Sequence, residues 1–313
     1  MKMDRKAVIF GIKGYKLTNK EKSLFKKAKP WGIIIFSRNI KNIIQLKNLI
    51  SEIKKTFNVK KYPILIDQEG GKVSRLNNII DLSIFSQDFF AKLYNKNKKL
   101  FLNQYKIYIN TICSIFNYVG ININTLPVLD VRRKKAHSII GSRSFSENST
   151  IVSKLGKLCI HFHENNKIAT VAKHIPGHGL ANCDSHFKTP IISAQKSELI
   201  RKDFKTFKFC KSIFAMTAHA VYNTYDSQNT ATHSKIIIKK VIRNYINFNG
   251  VLISDDISMK SLKYKLEENA IRSLKAGCNL VLHCNGNIKE MSKLSKVIPK
   301  IDKFTQKKTS QFY

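Results

Sequence analysis

The sequence predicts an α/β protein built as a single (β/α)8 TIM-type barrel. Two observations carry that expectation. Eight short apolar runs alternate with longer helical patterns along 313 residues, and no linker, internal repeat or second composition class divides the chain. The runs are apolar throughout rather than alternating, which implies strands buried on both faces and hence a parallel sheet. A doubly wound open sheet is the structural rival. Its dinucleotide-binding version is weakened because no GxGxxG follows the first run.

Taken in order, the first strand is expected over Ala7–Ile12, followed by a helix over Thr18–Ala28. Thr18 precedes Glu21 by three residues, the spacing of a capping box. A strand over Gly32–Phe36 leads to a helix over Ile40–Phe57, whose apolar residues recur at Ile43, Ile44, Ile50, Ile53 and Phe57. Pro63–Asp67 is the third strand. A helix over Lys99–Tyr118 then precedes the fourth strand, Ile121–Pro127. Thr150–Asn165 and Ala169–His174 form the next helix and strand, and Ser197–Cys210 and Ile213–Ala218 the pair after that. Ser234–Tyr245, Gly250–Ser254, Leu262–Ala276 and Asn279–Cys284 complete the eight strands, and a last helix covers Lys289–Val297. The catalytic barrel is expected over 1–301, with 302–313 a polar, frayed tail.

Composition narrows the function classes. Hydrophobic residues make up 43%, enough for a substantial core, yet no run approaches the roughly 18–20 apolar residues of a membrane span. The N-terminal apolar run is too short for a secretory leader, so the expectation is a cytoplasmic protein without membrane insertion. The six cysteines form no CxxC pair and read as small buried hydrophobes. Net charge is +36, which raises nucleic-acid binding as a reading. The basic residues are spread along the whole chain with no interleaved aromatics, which points instead to Lys, Asn and Ile drift of the kind seen in AT-rich genomes. No specific nucleic-acid partner is expected, only nonspecific anion contact.

A barrel places chemistry at strand C-terminal ends. Five of the eight ends carry or adjoin a carboxylate or an imidazole: Asp67, Asp130, Lys173-His174, His219 and Asp255-Asp256. Asp255, delivered to the rim by an apolar strand, suits attack on an anomeric carbon, with a rim ion pair or helix cap as the structural alternative. The stretch Lys173-His174-Ile-Pro-Gly-His178-Gly179 to Asp184-Ser-His186 is a shaped loop. A turn can bring Asp184 onto His186 and make it a general acid and base near neutral pH. A structural zinc site is the weaker alternative, since the histidine spacing is unusual and no cysteine pair completes it. Asp67, Glu69 and Arg75, with Arg143, have the donors and acceptors to hold sugar hydroxyls; an ion-paired rim is the alternative.

Together these segments resemble glycoside hydrolase family 3, and within it the β-N-acetylglucosaminidases of peptidoglycan recycling. The matching motifs are Ile66-Asp-Gln-Glu-Gly-Gly-Lys-Val-Ser-Arg-Leu76, Pro127-Val-Leu-Asp130, Gly141-Ser-Arg-Ser-Phe145, Lys173-His-Ile-Pro-Gly-His-Gly179, Asp184-Ser-His186, Met216-Thr-Ala-His219 and Ser254-Asp-Asp-Ile-Ser-Met259. They stand in the family's order over about residues 5–290. The resemblance implies a retaining β-N-acetylhexosaminidase with Asp255 as nucleophile, His186 as general acid/base and Asp184 as its support. It assigns Asp67, Arg75, Arg143, Lys173 and His174 to the N-acetylglucosamine ring. It implies N-acetylglucosaminyl-β-1,4-anhydro-N-acetylmuramyl peptides as substrate, no cofactor or metal, and a monomer. A phosphorylase stays open as a relative of this chemistry, because an imidazole acid/base tolerates phosphate as acceptor. Three departures stand out. Ser142 replaces a usual acid beside Arg143, Thr217 replaces the proline of Met-Pro-Ala-His, and the loop from Arg132 through Lys134 and Lys135 to His137 is unusually basic.

Overall fold

The computed structural model describes residues 4–133, 136–208 and 210–313. Its strands are β1 (Lys6–Gly11), β2 (Pro30–Ile35), β3 (Ile64–Ile66), β4 (Ile123–Asn124), β5 (Ala169–Ile175), β6 (Ile191–Ile192), β7 (Phe214–Thr217), β8 (Val221–Tyr222), β9 (Asp226–Thr230), β10 (Val251–Asp256) and β11 (Leu280–His283). Eight of them close a parallel barrel in the order β1-β2-β3-β4-β5-β7-β10-β11 and back to β1. Each coincides with one of the eight expected runs, and closure removes the open-sheet rival. Ile33, Ile34, Ile35, Val251, Leu252 and Ile253 are all buried, so both faces of these strands are covered, as apolar runs without alternation require.

Helices α1 (Asn19–Ala28), α2 (Ile43–Thr56), α3 (Gln87–Lys96), α4 (Lys98–Val119), α5 (Ser149–Asn165), α6 (Lys196–Arg201), α7 (Leu266–Ala276), α8 (Ile288–Val297) and α9 (Lys303–Lys308) complete the chain, with a π-type helix over Ile237–Tyr245. The Thr18 capping box forms in both directions: the Thr18 side chain accepts from the Glu21 amide, and the Glu21 carboxylate accepts from the Thr18 amide. No described helix is long and apolar enough to cross a membrane.

Four expectations are corrected. The helix expected over Ser197–Cys210 ends at Arg201, and a 3₁₀ turn follows at Phe204–Thr206. Between them Asp203 turns inward to meet Arg133, a tertiary ion pair that local periodicity does not encode. The helix expected from Leu262 begins at Leu266; Ile257, Met259 and Leu262 are buried in the loop that follows β10. Helix α3 was not anticipated. Ser86 caps it by accepting from the Phe89 amide, and Phe90 and Ala91 bury its inner side. The tail is not frayed. Helix α9 follows an Asp302 cap, and Phe312 packs against Trp31 and Phe214 with ring centroids 6.4 and 5.7 Å away, covering the N-terminal end of the barrel. The Trp31 indole N–H donates to Thr309 Oγ1 at 3.3 Å in the same plug.

At the opposite, C-terminal end, two strand ladders slip in register: β5 between Lys173 and Ile175, and β10 between Ile253 and Asp256. Such irregularities re-aim side chains at barrel rims. A small sheet ordered β6-β8-β9 stands beyond the rim and anchors the far end of the loop that follows β5.

Candidate active site

The strand ends at the C-terminal face open into a cleft of about 480 Å³. Asp67, Arg75, Arg143, Lys173, His174, Asp184, His186 and Asp255 all line it, so all eight residues singled out in the sequence converge on one place.

One wall is a charge cluster built on β3 and β5. Asp67, the first residue beyond β3, accepts from Lys173 Nζ at 2.5 Å, Thr125 Oγ1 at 2.6 Å and Arg75 Nη2 at 2.7 Å. Burial pushes its carboxyl up, but Lys173 and Arg75 outweigh burial and hold it well below the usual carboxylate range. Arg75 reaches Asp67 because the chain reverses at Gly70-Gly71. Both glycines have positive φ, and a Cβ on Gly70 would strike the Phe85 carbonyl and the Tyr108 hydroxyl. Glu69 sits beneath. Arg143 grips it through Nε and Nη2, both at 2.8 Å, and Lys173 Nζ lies 2.6 Å away. Burial raises the Glu69 carboxyl, and Arg143 and Lys173 outweigh it and leave it lowered. With Ser142 in place of an acid, Glu69 is the fork partner that orients Arg143.

A second layer holds the histidines. Asp130, fully buried after β4, accepts from His174 Nδ1 at 2.6 Å, from the His174 amide and from the His178 amide at 2.6 Å. Burial raises this carboxyl, but His174 and His178 bring it below the ordinary value. A carboxylate only accepts here, so the bond places a proton on His174 Nδ1 and fixes the orientation of the ring. His178 is buried with Nδ1 unpartnered among the described residues, and burial pushes its imidazole down to about 4. Gly179 lets this loop lie on the chain after β4, where any Cβ would collide with the Val131 carbonyl.

Opposite, β10 delivers Asp255 and Asp256. The Asp256 amide donates to Asp255 Oδ1 at 2.8 Å and orients that carboxylate. Burial works to raise Asp255, whereas His219, His174, the Asp256 amide and Lys173 together bring it below the usual range. It is therefore charged at neutral pH. Asp256 turns the other way. Its Oδ1 accepts from the Ser258 amide and hydroxyl, so it closes the turn after the strand.

The Asp184–His186 pair stands at the mouth. Asp184 Oδ1 accepts from both the His186 amide and Nδ1 at 2.8 Å, leaving Nε2 without a partner among the described residues. The His186 side chain is 60% exposed, so solvent reaches it. Burial raises Asp184, and its bonds to the His186 amide and ring outweigh that and lower it.

The basic loop is tied down where it is described. Arg132 meets Asp88 at 2.6 Å, and Arg133 meets Asp203 and, at 3.4 Å, Glu198. Lys134 and Lys135 lie outside the described residues. The sequence did not single out Thr125, and it marked Glu69, Asp130, His178 and His219 as candidates without assigning them a role. Asp130 and His219 did stand at strand ends, and Glu69 was paired with Asp67 in the motif, but which neighbour each would bind is decided by strands far apart in sequence.

Comparison with known proteins places the chain. The sequence profile described as "Glycosyl hydrolase family 3 N terminal domain" matches residues 3–311. A β-hexosaminidase of Actinobacillus pleuropneumoniae is 33% identical over 287 residues, spanning 89% of this chain and 81% of that protein. A β-hexosaminidase of Neisseria meningitidis is 31% identical, over 90% of this chain and 78% of its own length. Among solved structures, NagZ from Neisseria gonorrhoeae in complex with N-trifluoroacetyl-D-glucosamine superposes with a TM-score of 0.88 at 29% identity, covering 99% of this chain and 90% of that one.

Proposed function

This chain belongs to glycosyl hydrolase family 3 and is a glycoside hydrolase with β-N-acetylhexosaminidase activity, and from that premise we propose a retaining enzyme that acts through Asp255 on peptidoglycan-turnover fragments. The reading rests above all on one observation: a charged carboxylate at the end of β10 shares a cleft with a carboxylate–imidazole pair that is joined through Nδ1 and has no partner on Nε2 among the described residues.

In the first step an Asp255 carboxylate oxygen attacks the anomeric carbon. The glycosidic C–O bond breaks, its electron pair goes to the leaving oxygen, and that oxygen takes the proton from His186 Nε2. Asp184 holds Nδ1–H and stabilises the imidazolium before transfer, which assigns the exchanging proton to Nε2. In the second step neutral His186 takes a proton from water at Nε2. The water oxygen bonds to the anomeric carbon and Asp255 leaves with its electron pair, so configuration is retained. An imidazole suits the rim because it carries no negative charge toward an incoming or departing oxyanion. Asp67, Arg75, Arg143, Lys173 and His174 hold the N-acetylglucosamine ring. Three cations in that set face Asp67, Glu69 and Asp255, so the wall is balanced for a neutral sugar. The substrate class is the terminal β-1,4-linked N-acetylglucosamine of anhydro-N-acetylmuramyl peptides. All six cysteines are free, as suits a cytoplasmic monomer working in a reducing compartment.

The test is turnover of a chromogenic β-N-acetylglucosaminide and of a GlcNAc-anhydro-MurNAc peptide. Asp255→Ala is expected to lose activity by about 10⁴-fold. A slow substrate should leave a sugar adduct on the peptide carrying Asp255. His186→Ala is expected to lose on the order of 10²–10⁴-fold on the muropeptide and much less on a nitrophenyl leaving group that needs no protonation. Undiminished turnover by Asp255→Ala overturns the assignment, and sugar 1-phosphate formed on adding phosphate would make the enzyme a phosphorylase.

A further inference from the structure

Beneath Asp255 lies a chain of buried hydrogen bonds that the reaction scheme does not use. His219 follows β7, and its Nε2 stands 3.0 Å from the Asp256 backbone carbonyl. A carbonyl only accepts, so Nε2 carries a proton. Its Nδ1 stands 2.7 Å from Thr232 Oγ1. Thr232 Oγ1 in turn is 2.8 Å from Thr217 Oγ1 and 3.3 Å from the Ala218 carbonyl. Thr217, Thr232 and His219 are essentially inaccessible to water, so these partners must satisfy one another.

Proton counting orders the chain. Thr232 has one proton and three acceptors within reach, His219 Nδ1 at 2.7 Å, Thr217 Oγ1 at 2.8 Å and the Ala218 carbonyl at 3.3 Å. Donation to Nδ1 is the shortest. It also leaves the Thr232 oxygen to accept, and the Thr217 hydroxyl is the donor that supplies it. The rival acceptor for the Thr217 proton is the Cys278 sulfur. That thiol is pushed up to about 12 by burial, stays protonated and accepts weakly. A hydroxyl that receives a bond donates more strongly, so each link reinforces the next.

We propose that Thr217 is a positioning residue for the nucleophile: its hydroxyl commits the Thr232 proton to His219 Nδ1, locking His219 as the Nε2–H tautomer that holds the Asp256 peptide beside Asp255. The amide of the same residue orients Asp255 Oδ1, so the C=O and N–H of Asp256, in the two peptide groups that meet at its Cα, connect the buried chain to the carboxylate. Proline at this position, as in the Met-Pro-Ala-His form of the motif, has no hydroxyl and cannot supply the first link. The ionisable groups facing His219 are Asp255 and Asp256 from β10, His174 from β5, and His233 beyond β9. The acids favour a charged ring, and burial and the two imidazoles oppose it. The threonine chain tips this balance to the neutral form by occupying Nδ1 with a donor.

This inference rests on Asp255 being the nucleophile, and its test is arranged so that the two can fail separately. Nitrogen-15 NMR of the His219 ring in substrate-free protein reads the tautomer without any turnover. The native protein should show an unprotonated Nδ1 at neutral pH. In Thr217→Val, Thr232 is released to donate to Ala218 and to accept from Nδ1, so the ring's titration midpoint should rise. In the same variant kcat should fall about 10-fold, the equivalent of one buried hydrogen bond, with KM within about twofold. Thr217→Ser should restore the native ring and rate. Thr217→Ala carries the same expectation as Thr217→Val if the latter folds poorly. Native ring shifts with native kcat in a folded hydroxyl-free variant overturn the proposal. So does a lowered rate that Thr217→Ser fails to rescue. Wild-type protein with the expected tautomer but no turnover would overturn the nucleophile assignment instead.

Discussion

Glu69 shows how one buried side chain organises the cleft. Its carboxylate is almost wholly inaccessible and takes two of the three guanidinium nitrogens of Arg143 and the ammonium of Lys173. Removing one partner of a buried charged cluster strands the others, which costs about 3 kcal/mol or more. Glu69→Gln keeps the shape and removes the charge. It is expected to lower Tm by roughly 5 °C in a chain of this size and to raise KM as Arg143 loses its fork. Thermal denaturation with steady-state kinetics checks it, and an unchanged Tm would show that Asp67 alone holds the two cations. This residue was half legible in the sequence. The spacing Asp67-Gln-Glu69 announced two acids at a strand end, but it could not say that Arg143, a strand and two helices away, would choose the second of them.

At the scale of elements, legibility follows how local the deciding interaction is. Helix α1 was readable to its first residue because its cap is a four-residue exchange between Thr18 and Glu21. The stretch after Lys196 was not, because Asp203 answers to Arg133 from another βα unit. The last twelve residues misled for the same reason. Their polarity suggests a free end, yet Phe312 finishes the barrel floor against Trp31 and Phe214. Phe312→Ala leaves that cavity with little to collapse into it and is expected to lose about 3 kcal/mol, read as a lower urea midpoint at unchanged m. A midpoint equal to wild type would return the tail to the status of an appendage.

The whole molecule couples its stability to pH through buried groups. His163, His178 and His233 are each depressed by burial to about 4 from an ordinary 6.5. The unfolded chain therefore binds protons that the folded chain refuses, and stability falls as pH drops from about 6.5 toward 4. Asp203 opposes this, since burial raises it to about 6 despite Arg133, but it is one group against three. Asp67 and Asp130, held below their ordinary 3.8, add a further loss as pH passes below that value and through their lowered folded values. Acid also adds positive charge to a chain already at +36, which deepens self-repulsion. Urea unfolding at pH 7 and pH 5 should differ by on the order of 3 kcal/mol, with the higher pH more stable. Equal stability at the two would mean that the three imidazoles are hydrated in the folded state.

By itself the sequence determined the barrel and the face on which its chemistry lies. Eight doubly buried strands write an apolar run without alternation, and a strand's last residue is adjacent in sequence to its own rim position. It also determined which side chains reach the cleft, because Asp67 and His174 end such runs, Asp255 is the next residue after one, and Asp184 and His186 sit in the loop that follows one. Only the tertiary structure decided who pairs with whom. Glu69 with Arg143, Asp130 with His174, Arg133 with Asp203, and Thr217 through Thr232 to His219 join residues on different strands and loops. Barrel closure sets those distances, and no local pattern of residues carries them.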